Sequence, residues 1–242
     1  MKRIVFLVLR LLYRVPGWLL QIRYYNKHLD ETSFEERFDF AQKLIHKINE
    51  KSRVRIHCHG KENIPQESGY LIAPNHQGMF DPLILFDTHD KPFKAVVKKE
   101  LLDVPVLNKV LSLIQFVPMD RSNLRESMKI IKTASKEISE GMNYVIFPEG
   151  TRSRQKNEML EFKGGTFKCV IDAKKPIVPV ALIDCYQVFD NNTIAPVDAQ
   201  IHYLKPIFYE EYQDMNSTEI AQMVQARIKE CIEKNEYNFK KA

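Results

Sequence analysis

A histidine and an aspartate, His76 and Asp81, stand five residues apart in a segment (74–82) that reads PNHQGMFDP. Imidazole has an unperturbed pKa of about 6.5, and a carboxylate on its far nitrogen fixes the tautomer and stabilises the imidazolium. The residues between them can curl so that the two side chains meet, because Gly78 tolerates a tight backbone. In a structural alternative, Asp81 caps a helix that has Pro82 in its first turn, and His76 is a loop residue. Both interpretations can hold at once.

A second polar segment, residues 147–154, reads FPEGTRSR and also follows a short apolar run. Loops that leave strand ends are where open α/β sheets bind ligands, so two of them predict a site. Four other histidines lack an aspartate at this spacing, and we expect them to be structural or exposed: His57, His59, His89 and His202.

The composition is that of a globular protein, with 44% hydrophobic and 28% charged residues in 242. The formal net charge of +5 is too small to argue for nucleic acid, but it suits an anionic membrane surface or a phosphorylated substrate. The four cysteines have no CxxC spacing, which predicts buried thiols in a reducing compartment and no metal site.

The first 25 residues read MKRIVFLVLRLLYRVPGWLLQIRYY, and arginines interrupt the apolar run. That run is too short to span a bilayer, which needs roughly 20 apolar residues, and no signal-peptide cleavage pattern follows it. We expect a helix bent at Pro16-Gly17 that lies in the membrane interface, with its arginines reaching the headgroups. The alternative is a core helix of a soluble domain.

Apolar residues at mixed three and four spacings predict a second amphipathic helix over Glu31–Ser52. Residues 1–52 would then form an amphipathic two-helix membrane-attachment module. Residues 53–242 alternate short apolar runs with helical stretches, which predicts an α/β domain with a mixed sheet flanked by helices. The expected strands are Val54–His57, Tyr70–Ala73, Lys94–Val97, Gln115–Val117, Tyr144–Phe147, Ile177–Leu182 and Gln200–Tyr203. The expected helices are Asp81–Phe86, Leu101–Ile114, Arg125–Glu140, Thr166–Lys174 and Ser217–Lys234.

Four segments in order resemble the motifs of the glycerolipid acyltransferases, and most of all the 1-acylglycerol-3-phosphate (lysophosphatidate) acyltransferase branch. The two most specific are NHQGMFD at 75–81 and FPEGTRS at 147–153. Between and after them, VPMDR at 117–121 is similar to the middle motif and IVPVA at 177–181 to the fourth. The resemblance covers residues 54–204 and extends to the amphipathic amino-terminal helices.

The resemblance implies transfer of a fatty acyl group from a thioester to the 2-hydroxyl of 1-acyl-sn-glycerol-3-phosphate, giving phosphatidic acid. His76 would take the hydroxyl proton and Asp81 would hold the imidazole. The thioester would be acyl-CoA or acyl carrier protein, with no acyl-enzyme and no bound cofactor. The site would lie on the cytoplasmic face of the cell membrane.

The implied acceptor carries a phosphate, which arginine binds in a bidentate fork. By motif match Arg121 and Arg152 would hold it, and Lys98 is similar to a further phosphate-contacting position, with a solvated lysine as the alternative. Glu149 would orient these cations. The Gly150 amide is a candidate oxyanion donor.

Thr151 could bond phosphate or backbone.

Three alternatives stay open on the sequence alone. One is an acyltransferase with another lysophospholipid acceptor, and another is a membrane-binding protein without catalysis. The third, a hydrolase, is disfavoured because the chain lacks a Gly-x-Ser-x-Gly elbow.

Overall fold

The computed structural model describes residues 2–104, 107–120 and 122–239 of the chain. Within them one mixed sheet is built from seven strands, and each overlaps a strand expected from the sequence. The strands are β1 (Val54–His59), β2 (Leu71–Pro74), β3 (Phe93–Lys98), β4 (Val117–Met119), β5 (Asn143–Val145), β6 (Ile177–Ile183) and β7 (Val197–Tyr203).

Helices flank this sheet on both faces, which confirms the predicted α/β class. The described residues contain α1 (Lys2–Leu11), α2 (Val15–Lys27), α3 (Phe34–Lys51), α4 (Asp81–Thr88), α5 (Leu107–Leu113), α6 (Leu124–Ser139), α7 (Lys168–Ala173), α8 (Tyr209–Tyr212) and α9 (Ser217–Phe239). Short 3-10 turns, such as Lys99–Asp103 and Gly164–Phe167, connect several of them.

The strand order across the sheet is β1-β7-β6-β2-β5-β3-β4. All neighbouring pairs are parallel except β6 and β7, which are antiparallel. The carboxyl ends of β2, β3, β4 and β5 therefore meet at one edge of the sheet, while β7 ends at the opposite edge. Both polar loops predicted from the sequence leave the first of these edges.

Two apolar layers cover the sheet, one on each face. On one face, α3 and α4 pack aromatic rings together, with Phe38 stacked on Phe86 at 4.7 Å between ring centroids. On the other face, α6, α7 and α9 contribute Ile138, Val170 and Ile228 to a second buried cluster. Buried strands with both faces covered read as continuous apolar runs, and β6 is buried at every position.

The amino-terminal helices are bent by 85° at the break between Leu11 and Val15. The expected bend at Pro16-Gly17 is wrong, because Pro16 lies in the first turn of α2, where its missing N–H costs no hydrogen bond. No single helix of the described chain is long and apolar enough to span a bilayer, although α1 and α2 taken together have the length and composition.

One arginine of α1 is fully buried in the sheet domain. The Arg3 guanidinium donates to the carbonyls of Ser52 (2.5 Å), Val188 (2.8 Å) and Ala195 (2.6 Å). Three neutral acceptors from two distant segments thus fix the start of α1. The outer side of the same helix stays apolar and exposed, with Val5, Val8 and Leu9 among its residues.

The second predicted amphipathic helix is α3, and it begins after Ser33, whose hydroxyl accepts from the Glu36 amide. Its buried residues Phe38, Ala41 and Ile45 belong to the same apolar cluster as the sheet. This helix therefore packs as a layer of the α/β domain rather than as a body with its own core.

Local backbone geometry explains where expected and observed elements differ. The helix expected over Leu101–Ile114 is a 3-10 turn over Lys99–Asp103 followed by α5, with residues 105 and 106 outside the described part. Gln115 adopts a left-handed conformation (φ 52°) that ends α5, so the strand expected from that residue begins at Val117. Lys174, at φ 52°, ends α7 in the same way.

Candidate active site

His76 and Asp81 meet, as their spacing predicted. The Nδ1 atom of His76 lies 2.7 Å from Oδ2 of Asp81, whose side chain is fully buried. The same oxygen accepts from the backbone amides of Gln77 (2.6 Å) and Gly78 (2.9 Å). Asp81 stands in the first turn of α4 but accepts from the loop that precedes the helix. One carboxylate oxygen thus fixes both the imidazole and its loop.

The imidazole of His76 lies at the edge of the sheet, where one face of its ring stacks on Phe147 with centroids 4.1 Å apart. Its side chain is only 14% exposed. Because the Asp81 carboxylate accepts a hydrogen bond from Nδ1–H, Nε2 is left with its lone pair, and it has no hydrogen-bond partner among the described residues. A single basic nitrogen therefore remains open at this edge.

Gly78 matters for a different reason from the expected one. Its φ is not in the left-handed region; instead, a Cβ at this position would lie 3.1 Å from Cα of Tyr186 and 3.3 Å from Oδ2 of Asp190. The loop that carries His76 thus approaches the turn after β6 too closely for a side chain. Glycine allows this contact, and so helps place the histidine.

The second predicted loop is joined directly to the first. The amide of His76 donates to Oε1 of Glu149 at 2.7 Å, and the amide of Ser153 donates to the His76 carbonyl at 2.8 Å. The other oxygen of Glu149 accepts from the Leu160 amide at 2.9 Å. Glu149 therefore accepts from backbone amides of both loops. No described cation lies within ion-pair distance of it, whereas the resemblance implies that it orients cations.

Burial raises the pKa of Glu149 to about 7, and the charge of Asp81 adds to this effect, while the amides of His76 and Leu160 oppose it. The residue is only 2% exposed. Glu149 accepts a hydrogen bond from the backbone amide of His76, and its own protonation falls near neutral pH. The position of His76 is therefore linked to the charge of Glu149.

A buried amide network, which no sequence pattern indicates, supports the same loop. Gln77 donates to Oδ1 of Asn157 at 2.7 Å and accepts from the amide of Cys185 at 3.0 Å. Asn157 in turn donates to Asp184 at 3.1 Å and accepts from its amide at 2.8 Å. Asn75 exchanges two bonds with Leu182 in β6. No motif or periodicity marks Asn157, so only the fold reveals the network.

Gly150 forms the turn of the second loop, with φ at +71°, a conformation that favours glycine. Its amide donates to the Phe147 carbonyl at 3.0 Å, so this N–H is already used within the turn. A Cβ here would lie 2.9 Å from Nζ of Lys163, which places that ammonium directly over the turn. Lys163 thus joins the cations near the site.

The remaining predicted residues surround these loops to different extents. Arg152 is half-buried and has no side-chain partner among the described residues, while Thr151 is exposed. Lys98 ends β3 at the same edge and pairs with Glu100 at 2.9 Å in an exposed position. Arg121 lies outside the described residues, next to Asp120 after β4. The predicted site residues that belong to the described chain therefore all lie at this edge of the sheet.

Another histidine does have a carboxylate partner, which corrects the expectation for His57. Its Nε2 lies 2.8 Å from Oδ1 of Asp198, and Arg55 binds the same carboxylate in the exposed part of β1. The partner comes from β7, so spacing along the chain could not show it. His89 is structural: it bonds Tyr70 and the Lys91 carbonyl, and burial lowers its pKa to about 4.

The cysteine thiols take no part in this arrangement. Cys169 and Cys185 are fully buried, and Cys58 and Cys231 are half-buried; all four are free thiols. Burial raises the pKa of Cys169 to about 12, which keeps it a thiol. Within the part of the chain that the structure describes, no group of three or more histidine, cysteine or acidic residues has a geometry that could hold a metal ion.

A family model described as acyltransferase matches residues 55–183, more than half of the chain. The chain belongs to this acyltransferase family and is an enzyme of that class. The match includes both loops of the site, from the histidine to the Glu149 turn.

Among curated proteins, the 1-acyl-sn-glycerol-3-phosphate acyltransferase of Borreliella burgdorferi is 33% identical over 172 residues, covering 69% of this chain and 68% of the relative. The enzyme of the same name from Limnanthes douglasii is 29% identical over 157 residues, covering 64% of this chain and 55% of the relative. The chain thus spans just over half the length of the plant protein.

A solved structure shares the fold across nearly the whole chain. It is the crystal structure of the 1-acyl-sn-glycerophosphate (LPA) acyltransferase PlsC from Thermotoga maritima, with a TM-score of 0.73, 20% identity and 98% of both chains covered. At that identity the match concerns the architecture alone, including the amino-terminal helices.

Proposed function

We propose that the protein transfers a fatty acyl group from a thioester to the 2-hydroxyl of 1-acyl-sn-glycerol-3-phosphate, giving phosphatidic acid. The observation that carries the proposal is the His76–Asp81 pair with Nε2 open, at a strand-end edge of a member of this family. The substrate is inferred from the names of the relatives and from the free arginine at the same edge.

In the proposed reaction the acceptor hydroxyl oxygen attacks the thioester carbonyl carbon while Nε2 of His76 takes its proton. Asp81 stabilises the imidazolium that forms, because its carboxylate already holds Nδ1–H. The carbon–sulfur bond then breaks, and the imidazolium returns the proton to the leaving thiolate. The alcohol is the nucleophile, so no protein thiol or hydroxyl is acylated.

General-base catalysis typically contributes about 10² to 10⁴ in rate, so positioning and charge stabilisation must supply the rest. The Gly150 amide donates within its own turn and is a poor choice for the oxyanion donor. Glu149 instead contributes by fixing the backbone of His76.

The acceptor phosphate would be bound by Arg152, which has no side-chain partner among the described residues, with Lys163 beside the same turn. Lys98, which ends β3 at this edge, would add charge once it leaves Glu100, and by the motif match Arg121 would add a further cation. Thr151, exposed in the same turn, could add a hydroxyl donor to a phosphate oxygen.

The acyl donor would be acyl-CoA or acyl carrier protein as co-substrate, with no bound cofactor. Peripheral attachment to the cytoplasmic face of the cell membrane would use the exposed apolar side chains of α1 and α2, such as Leu9 and Leu20, and of Leu12 in the turn between them. On this proposal residues 1–52 form the attachment module, in which α1 and α2 meet the membrane and α3 packs the module onto the catalytic domain of residues 53–242.

The test is acyl transfer by the purified full-length protein from palmitoyl or oleoyl thioesters of coenzyme A and of acyl carrier protein. Acceptors would be lysophosphatidate and lysolipids with choline, ethanolamine or glycerol headgroups. We expect transfer to lysophosphatidate and loss of at least about 10²-fold in His76→Ala. The matched control is His57→Ala, which also breaks a histidine–carboxylate pair but on the far side of the sheet, and it should keep its activity.

Two outcomes would contradict the proposal. Preference for another lysolipid would leave the base in place but reject the acceptor. Fatty acid released without consumption of lysolipid would indicate a hydrolase that uses water instead of the alcohol.

A further inference from the structure

Five exposed apolar residues surround the edge of the sheet that carries the candidate active site. Their exposure is highest in α6, where Leu124 and Met128 are 76% and 62% exposed. We call the set the apolar rim; it consists of Met79, Leu101, Val104, Leu124 and Met128.

Strand direction places the apolar rim at this edge. Met79 follows β2, Leu101 and Val104 follow β3, and Leu124 begins the helix after β4. These three strands run in the same direction, so the segments after them leave the same side of the sheet. His76 follows β2 as well, which puts the open Nε2 and the apolar rim at a common edge.

The first two turns of α6 carry apolar side chains that are exposed to solvent. Its carboxyl-terminal half packs on the sheet through Ala134 and Ile138, which are fully buried. Leu124 and Met128 lie four residues apart on one face of the first two turns, and no described element covers them. Two large apolar side chains on one solvent-facing stripe are typical of an interaction surface.

Cations accompany the apolar rim. Arg125 and Lys129 alternate with the two exposed side chains of α6, and neither has an acidic partner among the described residues. Lys98 ends β3 and pairs with Glu100, and Lys99 follows it and lies 4.0 Å from Asp120. Apolar side chains that alternate with unpaired cations match a bilayer, whose interior is apolar and whose anionic headgroups are negative.

We propose that the apolar rim contacts a bilayer that contains anionic lipid, as a second contact in addition to α1 and α2. The inference rests on the proposed function, because a lipid acceptor could then reach His76 without leaving the apolar phase. Leu124 and Met128 enter the headgroup boundary, and Arg125 and Lys129 bind lipid phosphates.

The test compares two double variants of the full-length protein. Leu124→Ser/Met128→Ser removes the most exposed part of the apolar rim. Phe208→Ser/Met215→Ser removes two exposed apolar residues that follow β7 and therefore lie at the opposite edge. All four side chains are exposed, so urea unfolding midpoints should match the wild type and exclude misfolding.

The readout is the partition of each protein onto vesicles of phosphatidylcholine with phosphatidylglycerol, without substrate, so that it does not depend on catalysis. We expect the rim variant to lose about tenfold in partition coefficient, which corresponds to about 1.4 kcal/mol, and the control to change less than about twofold. Equal partition of the rim variant and the wild type would overturn the proposal.

Kinetic measurements distinguish binding of the apolar rim to a membrane from its binding to a protein partner. The rim variant should show a raised apparent KM for vesicle-embedded lysophosphatidate, with unchanged kcat and KM on a short-chain, water-soluble acceptor. Unchanged partition together with a raised KM for acyl carrier protein would reject the bilayer and assign the surface to that acidic partner. A protein without acyl transfer that still shows the partition difference would reject the proposed function alone.

Discussion

His76 is held at its Nδ1 atom, its ring face and its backbone, while Nε2 stays open. Asp81 fixes its ring nitrogen, Phe147 stacks on its face, Glu149 accepts from its amide and Ser153 donates to its carbonyl. The imidazole and its backbone are thus both restrained before a substrate binds. Such preorganisation lowers the cost of reaching the reactive geometry.

Glu149→Gln should change how stability depends on pH. The folded-state pKa of Glu149 is raised to about 7, above the value of about 4.3 for an unfolded chain. The folded protein therefore binds a proton more tightly, and this contribution to stability is full below pH about 4.3 and is lost as pH rises toward 7. Glutamine cannot titrate, so the stability difference, wild type minus variant, should fall between pH about 4 and about 7 and change little at higher pH.

Urea denaturation at several pH values measures this difference. Glu158→Gln, at an exposed position nearby, removes a carboxylate from the same region and is the matched control. A pH-independent difference for Glu149→Gln would contradict the raised pKa.

The contact between His76 and Asp81 could be predicted because a loop of five residues brings its ends together at low cost. The Gln77–Asn157 bonds could not, because an amide pair 80 residues apart leaves no periodic trace in the sequence. The partner of His57 was missed for the same reason, since Asp198 lies on a neighbouring strand that only the sheet order brings near.

At the scale of elements, the strands were predictable because buried strands are short apolar runs between turns. The errors fall where a left-handed residue ends an element, as at Gln115 and Lys174, because neither residue type marks that conformation. The position of the bend between α1 and α2 was also missed, since proline in a first turn continues a helix rather than breaking it.

Arg3→Lys should destabilise the protein by about 2–4 kcal/mol, because lysine cannot reach three carbonyls in different directions and would leave buried acceptors unpaired. Arg10→Lys, in the exposed last turn of α1, is the matched control and should change stability by about 0.5 kcal/mol or less. Chemical denaturation of both variants measures the effect. Equal midpoints for the two variants would mean that the buried guanidinium contributes little.

Over the whole molecule, apolar surface and cations are unevenly distributed. The exposed apolar side chains of α1 and α2 and the apolar rim account for most of the large apolar residues that face solvent in the described chain. The net charge of +5 is modest, but unpaired cations such as Arg125 and Arg152 lie at the edge that carries the site. Membrane binding should therefore combine burial of apolar groups with attraction to anionic lipid.

Salt should separate these two contributions. Screening weakens the electrostatic part, so binding to vesicles with anionic lipid should fall several-fold between about 0.05 M and about 0.5 M salt. Binding to vesicles of phosphatidylcholine alone should be weaker at low salt and nearly independent of salt. Sedimentation of the full-length protein with both kinds of vesicle measures this. A salt-independent affinity for the anionic vesicles would mean that the cations take no part.

The three acceptors of Arg3 also determine when α1 can fold into place. During synthesis α1 leaves the ribosome 185 residues ahead of Val188 and 192 ahead of Ala195. Ser52 follows Arg3 by only 49 residues, so one acceptor is available early, but the guanidinium binds its full set of three carbonyls only after Val188 and Ala195 have been made. In that interval the exposed apolar side of α1 can meet a lipid surface before the helix is fully fixed on the domain.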